Sequence, residues 1–202
     1  MTVEDAQKDL AYIRAVMADT RRATCLSGKY FIAWGLASAA GLLGTWLYLR
    51  GIVDVSPLVT WAFCIVAGWI YSAYAAIQEA REAALGSAGR FIGVVWTACG
   101  VAVLIIFFIA YPLGALQGGH NGVAATIVGV GVFITGALSG MPWLRNTALG
   151  WWLGAAVMFL WPGEHTFLIM GVLLLILYII PGVLLNRQHQ QYQQQLRQEN
   201  TE

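Results

Sequence analysis

Six apolar stretches separated by short polar segments account for most of the chain after residue 28. They run at about 29–49, 58–78, 91–112, 122–140, 146–161 and 166–185. A helix needs roughly 20 apolar residues to cross a bilayer, and most of the stretches are near that length. The fifth is short unless it includes Trp143 and Leu144, so five spans are the alternative to six. The pattern predicts an all-α, polytopic bundle of six transmembrane helices in one domain over residues 29–185.

A further helix of different character is predicted before the first span. Over residues 1–28, apolar side chains recur every three or four positions, and charged side chains occupy the opposite face. Such an amphipathic helix would lie on the lipid headgroups, fold back on the loops or pair with another helix. Its apolar stripe is a predicted partner interface and includes Leu10, Ile13 and Met17.

The glutamine-rich residues 186–202 form a tail after the last span. Pro181 and Gly182 come shortly before it and are expected to kink or loosen that span. Tyr192 and Leu196 continue an apolar stripe at helical spacing and are predicted to add to the partner interface. Pairing of the tail with the N-terminal helix, within one subunit or between two, would bury both stripes. A frayed, solvated tail is the alternative.

The distribution of positive charge predicts the topology. The 202 residues are 59% hydrophobic and 10% charged, with a mean hydropathy of +0.68, which is typical of integral membrane proteins. Cytoplasmic loops retain positive charge. Of the 11 lysines and arginines, only Arg50 falls on the opposite side from the other ten, which are Lys8, Arg14, Arg21, Arg22, Lys29, Arg81, Arg90, Arg145, Arg187 and Arg197. Both termini are therefore predicted to be cytoplasmic.

Eight of the nine tryptophans lie near the predicted membrane boundaries, where such side chains commonly anchor a helix in the headgroups. In the three outward-going spans a basic residue precedes a tryptophan by five or six positions, at Lys29 and Trp34, Arg90 and Trp96, and Arg145 and Trp151. This spacing favours an internal repeat of three helical hairpins. Ordinary anchoring of outward-going helices explains the same pattern.

Small residues recur at intervals suited to close helix packing. Ala33, Ala37 and Gly41 form a ladder on the first span, and Gly129 and Gly136 lie in the fourth. Tight packing within one subunit is the first interpretation. A seam between two copies of the chain, or a docking stripe for a second membrane protein, is the other.

Candidate chemistry is sparse. His120, Glu164 and His165 are the histidine and carboxylate groups that two outer loops could bring together around zinc, nickel or copper. They lack the spacing of a metal motif, so neither a metal nor another cofactor is predicted. We find no nucleophile with a base and an orienting group, which favours a protein that is not an enzyme. The basic residues are scattered singly, which argues against nucleic acid as a partner.

Two resemblances add to these expectations. Asp9-Leu10-Ala11-Tyr12-Ile13-Arg14 with Met17, Thr20-Arg21-Arg22 and Ser27-Gly28 before a Gly/Ala-rich span resembles a group of uncharacterised bacterial six-helix membrane proteins. That resemblance covers about 35 residues and implies a bacterial inner membrane and a cytoplasmic N-terminal helix. Lys29 departs from the tryptophan of that pattern. The size, the span number and the first-span ladder are also similar to the substrate-binding membrane components of vitamin uptake transporters.

Two functions remain open on the sequence. The first is a non-enzymatic scaffold or regulatory component of the inner membrane that contacts a partner or a second copy through its helical stripes. The alternative is a small-molecule carrier or binding component with an aromatic-lined pocket open to the outside. Its predicted lining is Trp46, Trp61, His120, Trp161 and His165.

Overall fold

The computed structural model describes residues 28–82 and 87–199, so the predicted N-terminal helix with Leu10, Ile13 and Met17 lies outside the described residues. The described part of the chain is all-α, as predicted, and has six helices. The helices are α1 Lys29–Leu49, α2 Pro57–Glu82, α3 Ser87–Ile105, α4 His120–Leu138, α5 Pro142–Leu160 and α6, which begins as His165–Leu174. A π turn, Ile106–Ala110, continues α3, and a second, Leu175–Ile179, leads α6 into Ile180–Glu199.

Five of the described helices are long and apolar enough to cross a membrane. The five segments are Lys29–Leu49, Pro57–Gln78, Phe91–Ala110, His120–Leu138 and His165–Gln188. Helix α5 has 19 residues but carries Arg145 and Asn146 near its start, which lowers its apolar content. It begins at Pro142 and therefore includes Trp143 and Leu144. Proline suits the first position of a helix because the N–H there has no partner in the helix.

Four of the five pairs of consecutive helices pack as neighbours, namely α1 with α2, α3 with α4, α4 with α5, and α5 with α6. The most extensive pair is α4 with α5, and α6 packs against α1, α5 and α4. Short connections make such sequential pairs antiparallel. The core lies mainly between α4, α5 and α6, where Trp151, Ala155, Met158 and Leu174 are buried. Helices α2 and α3 leave apolar side chains such as Phe63 and Phe91 exposed on their outer faces, as expected of surfaces that face lipid.

In each of the three hairpins α1–α2, α3–α4 and α5–α6, a tryptophan of the first helix donates a hydrogen bond to the second helix. The indole N–H of Trp34 donates to Ser72 Oγ and that of Trp96 to Thr135 Oγ1, both at 3.0 Å. In α5 the indole of Trp151 donates to the backbone oxygen of Leu177 at 3.4 Å. Trp151 is fully buried, so the prediction that it anchors in the headgroups was wrong.

The first two of these pairs share a local motif. The Trp34 ring lies against Gly68, four residues before Ser72, and the Trp96 ring lies against Gly131, four residues before Thr135. A Cβ at either glycine would lie 3.1 to 3.2 Å from the indole. The similarity predicted for the three hairpins therefore extends to the partners of two of the tryptophans.

The bond from Trp151 has a cause in the sequence of α6. In an α-helix the N–H of residue 181 would donate to the carbonyl of Leu177, but Pro181 has no N–H. The π turn Leu175–Ile179 precedes the proline, and the indole N–H is directed at the carbonyl to which Pro181 cannot donate. The loosening expected near Pro181 thus takes the form of a π turn with an acceptor for a side chain from α5.

Candidate functional site

A buried histidine lies at the end of the bundle where α1, α3 and α5 finish. His120 is the first residue of α4 and is 4% exposed. Its imidazole is surrounded by the rings of Phe107, Tyr111 and Phe167, with ring centroids 5.6, 4.4 and 5.5 Å away. The end of α3 with the residue that follows it, and the start of α6, therefore wall in one ionisable side chain, and we call this arrangement the His120 cluster.

Neither nitrogen of the His120 ring has a hydrogen-bond partner among the described residues, and both are buried. A neutral imidazole always carries one N–H donor and one acceptor nitrogen. A buried polar group without a partner costs about 1 to 3 kcal/mol. The closed arrangement around His120 thus leaves two hydrogen-bonding needs unmet, which is rare for buried groups in native proteins.

The neighbouring residue, Asn121, has a third buried polar atom without a hydrogen-bond partner among the described residues. Asn121 is fully buried, and its Nδ2 donates to Thr166 Oγ1 at 3.0 Å. The Thr166 hydroxyl donates its single hydrogen to the carbonyl of Gly163 at 2.7 Å, so it accepts from the amide of Asn121. This chain fixes which way the amide points. Asn121 Oδ1 is left as a buried acceptor without a partner among the described residues.

A second layer of aromatic packing holds Phe107 in place. Trp61 of α2 stacks on Phe107 with ring centroids 5.7 Å apart and planes at 28°. Its indole N–H donates to Thr45 Oγ1 at 3.0 Å, and the hydroxyl of Thr45 donates to the carbonyl of Gly41 at 2.8 Å. A Cβ at Gly41 would lie 3.0 Å from the Trp61 ring, so the indole would have to shift by a few tenths of an ångström to accept any larger residue there.

The π turn Ile106–Ala110 shapes the α3 wall. It carries Phe107, and the N–H of Tyr111 closes it by donating to the carbonyl of Ile106 at 2.8 Å. Single π turns inside α-helices occur often at functional sites. Tyr111 is 47% exposed even though its ring contacts His120. It is therefore the wall residue that lies nearest to the surface.

At the same end of the bundle, an exposed ion pair joins the end of α1 to the start of α6, and we call the residues around this pair the rim. Arg50 Nε lies 3.5 Å from Glu164 Oε2, and both side chains are more than half exposed. The Arg50 guanidinium also lies 5.5 Å from the centroid of Trp46, whose indole N–H is buried without a partner among the described residues. Exposed pairs contribute about 0 to 1 kcal/mol. The rim therefore joins the start of α6 to the end of α1 only weakly.

Of the predicted pocket residues, the structure brings His120 and Trp61 together through Phe107, and it places Trp46 at the rim. Trp161 and His165 instead lie on the surface, where His165 Nε2 is 2.6 Å from the carbonyl of Trp161. The site is closed around His120, although the sequence predicted an open pocket. Asn121 and Thr166 could have been found from the sequence, because they are polar residues at the starts of apolar spans. No such signal marks Phe107, Tyr111 and Phe167.

The three residues considered for a metal do not meet. Glu164 pairs with Arg50, His165 contacts the Trp161 carbonyl and His120 is enclosed by rings. Within the described ranges, no group of three or more His, Cys, Asp or Glu side chains could hold a metal ion.

The predicted packing glycines lie against neighbouring helices of the same chain. Gly41 faces Trp61 of α2, Gly129 faces Trp152 of α5, and Gly136 faces the backbone of Arg145. The remaining ladder residues, Ala33 and Ala37, are half-buried. The tail is helical through Glu199, but the side chains of Tyr192 and Leu196 lie outside the description.

The described helices indicate an all-α, multi-pass membrane protein with a buried polar and aromatic cluster at one end of the bundle. Comparisons of the chain with protein-family models, with curated proteins and with solved structures give no match.

Proposed function

We propose that this protein is a small-molecule-binding component of the bacterial inner membrane that receives its ligand at the His120 cluster. The observation that carries the proposal is the His120 side chain, which is buried among three aromatic rings with neither nitrogen hydrogen-bonded to any residue that the structure describes. A bound molecule that supplied these hydrogen bonds would remove a cost that the closed state bears. A ligand with such a preference shifts the population of the protein towards the bound form.

The orientation in the membrane follows from charge. We propose six crossings with both termini in the cytoplasm, which puts the His120 cluster at the outer face and ten of the 11 basic residues at the inner one. We count helix α5 as a crossing in addition to the five long apolar helices, because it packs extensively against α4 and has a fully buried face. Its Arg145 is exposed and lies near the inner end, where a long side chain reaches the headgroups. The resemblance of residues 9–28 to bacterial six-helix proteins favours the same membrane.

Binding a ligand without catalysing a reaction is the simplest function of the His120 cluster. Among the described residues, no carboxylate or thiol makes a hydrogen bond to His120, so the imidazole has no activated nucleophile to serve. The aromatic walls supply contact area, and the polar atoms of His120 and Asn121 supply orientation. That combination is common in ligand sites, which are mostly apolar with a few placed polar groups.

Native mass spectrometry of the protein released from mild detergent tests this function. We expect a subunit carrying an added small-molecule mass in the wild type and in His165→Gln, which changes an exposed histidine. His120→Phe keeps an aromatic ring at the cluster but cannot form the hydrogen bonds, so the added mass should disappear. Equal elution volumes and helical spectra would show that the variants are folded. An added mass that His120→Phe retains, or no added mass in any sample, would contradict the proposal.

A scaffold or regulatory role is the second candidate, and the helical tail favours it. Helix α6 continues to Glu199, well past its last apolar turns, and so offers a polar helix outside the membrane for a partner or a second copy. The proposed surface combines Leu10, Ile13 and Met17 with Tyr192 and Leu196. Deletion of residues 1–24 should then change the oligomeric state and the pull-down profile. Unchanged profiles would rule this role out. Deletion of residues 200–202, which are not part of the proposed surface, is the control for the effect of shortening the chain.

A further inference from the structure

We infer, on the basis of the proposed function, that the His120 cluster selects an uncharged planar molecule that offers both an N–H donor and an acceptor. Primary amides on an aromatic ring belong to this class.

The inventory requires both donors and acceptors from the ligand. Neutral His120 presents one N–H and one acceptor nitrogen, and Asn121 presents its Oδ1 as a further acceptor. The Asn121 amide cannot turn to offer its NH₂ instead, because Thr166 accepts from Nδ2 while donating to Gly163. A ligand with acceptors alone would leave Oδ1 unpaired, and one with donors alone would leave the imidazole N–H unpaired. Thr166 is thus a positioning residue, because it keeps Oδ1 of Asn121, and not its NH₂ group, available to the ligand.

The surrounding charges disfavour an ion. The charged side chains described near this end are Arg50, Asp54 and Glu164, and all three are exposed. Arg50 and Glu164 already pair with each other. An anion or a cation among the rings would therefore be desolvated without a countercharge, which is costly. Aromatic rings do attract cations, but a cation would still leave the imidazole N–H without an acceptor.

The walls favour a flat molecule that enters beside Tyr111. Phe107 and Phe167 are held by packing on Trp61 and by burial in the core respectively. Tyr111 is half exposed and begins the connection to α4, which includes glycines at positive φ, Gly114 and Gly118. Movement of the Tyr111 ring would expose the imidazole without disturbing the other two walls. A planar ligand could then occupy the space between the separated rings.

Four matched probes test the inference by isothermal titration of the detergent-solubilised full chain. Benzamide carries the required donor and acceptor, and N,N-dimethylbenzamide lacks the N–H. Benzoate is the anion and benzyltrimethylammonium the cation. We expect benzamide to bind the wild type, with each of the other three at least about tenfold weaker, the equivalent of one lost hydrogen bond or more. His120→Phe should abolish benzamide binding, and His165→Gln should leave it unchanged.

Thr166 variants provide a readout that a loss of folding would not give. Thr166→Val frees the Asn121 amide to rotate, so the preference for benzamide over its dimethyl derivative should shrink, and Thr166→Ser should restore it. Stronger or equal binding of an ion or of the dimethyl amide, or no binding of benzamide, would overturn the inferred class. If native mass spectrometry still showed a mass that depends on His120, the proposed binding function would survive that result. Loss of both would remove the function as well.

Discussion

Replacing Gly136 with alanine tests the close approach of α5 to α4. A Cβ at Gly136 would lie 2.6 Å from the Cα of Arg145 and 2.9 Å from its Cβ. The added Cβ would lie closer still to the backbone nitrogen of Arg145, and ordinary contacts of a Cβ begin at 3.4 Å, so the two helices would have to separate by about 1 Å. The turn that joins them allows little movement, because the N–H of Met141 donates to the carbonyl of Gly136 at 2.9 Å. The obstacle is also main chain, which cannot turn aside as a side chain can.

Overfilling a packed interior costs about 1 to 3 kcal/mol, and the change from glycine to alanine in a helix returns about 0.5 to 1 kcal/mol. Because a main-chain obstacle cannot turn aside, the upper half of that cost applies, and Gly136→Ala should lower the free energy of unfolding by about 1 to 2.5 kcal/mol. Gly100→Ala is the matched control, because a Cβ there meets no described atom within 4 Å, and it should be neutral or slightly stabilising. Titration with sodium dodecyl sulfate in mixed micelles, followed by tryptophan fluorescence, measures both. A Gly136→Ala protein as stable as the Gly100→Ala control would mean that α5 does not pack on α4 this closely.

Three further predictions concern the fold, the topology and the rim. Trp96→Phe and Thr135→Val should each destabilise the protein, and a double-mutant cycle should give a coupling of about 0.6 kcal/mol, as is usual for hydrogen bonds inside membranes; simple additivity would argue against the bond. Leu113 and Gln188 are exposed at opposite ends of the bundle. In a protein without its native cysteines, Leu113→Cys should therefore react with an impermeant maleimide in intact cells, and Gln188→Cys only after lysis. The reverse labelling would mean that the proposed topology is inverted. Arg50→Gln should change the unfolding free energy by less than about 1 kcal/mol, because the ion pair is exposed; a larger loss would show that the rim holds the cluster closed.

The positions of the helices could be predicted because membrane spans follow from length and hydropathy alone. Five of the six predicted spans coincide with helices of sufficient length and apolar content. The fifth predicted span, at 146–161, could not be judged the same way, since Arg145 and Asn146 dilute its apolar character. Its place in the bundle depends on a partner surface in α4, and hydropathy contains no information about partners.

The candidate site was predictable only in part. His120, Trp46 and Trp61 attract attention in the sequence because polar and aromatic residues are conspicuous near the ends of apolar spans. Phe107 and Phe167 do not, because a phenylalanine facing lipid and one facing a buried imidazole look alike in sequence. The role of Trp151 was mistaken for the same reason, as position near a boundary does not reveal which way a side chain points.

By itself, the sequence determined that this chain is an all-α membrane protein, because the bilayer imposes on every span a requirement for apolar length that can be read locally. It also determined where glycine and proline alter the helices. Only the tertiary structure decided that His120 is enclosed by rings from α3 and α6, and that Thr166 fixes the amide of Asn121. Those outcomes depend on the rotation of each helix about its axis, which is set by packing between segments 45 residues apart in the chain. No local pattern specifies that rotation.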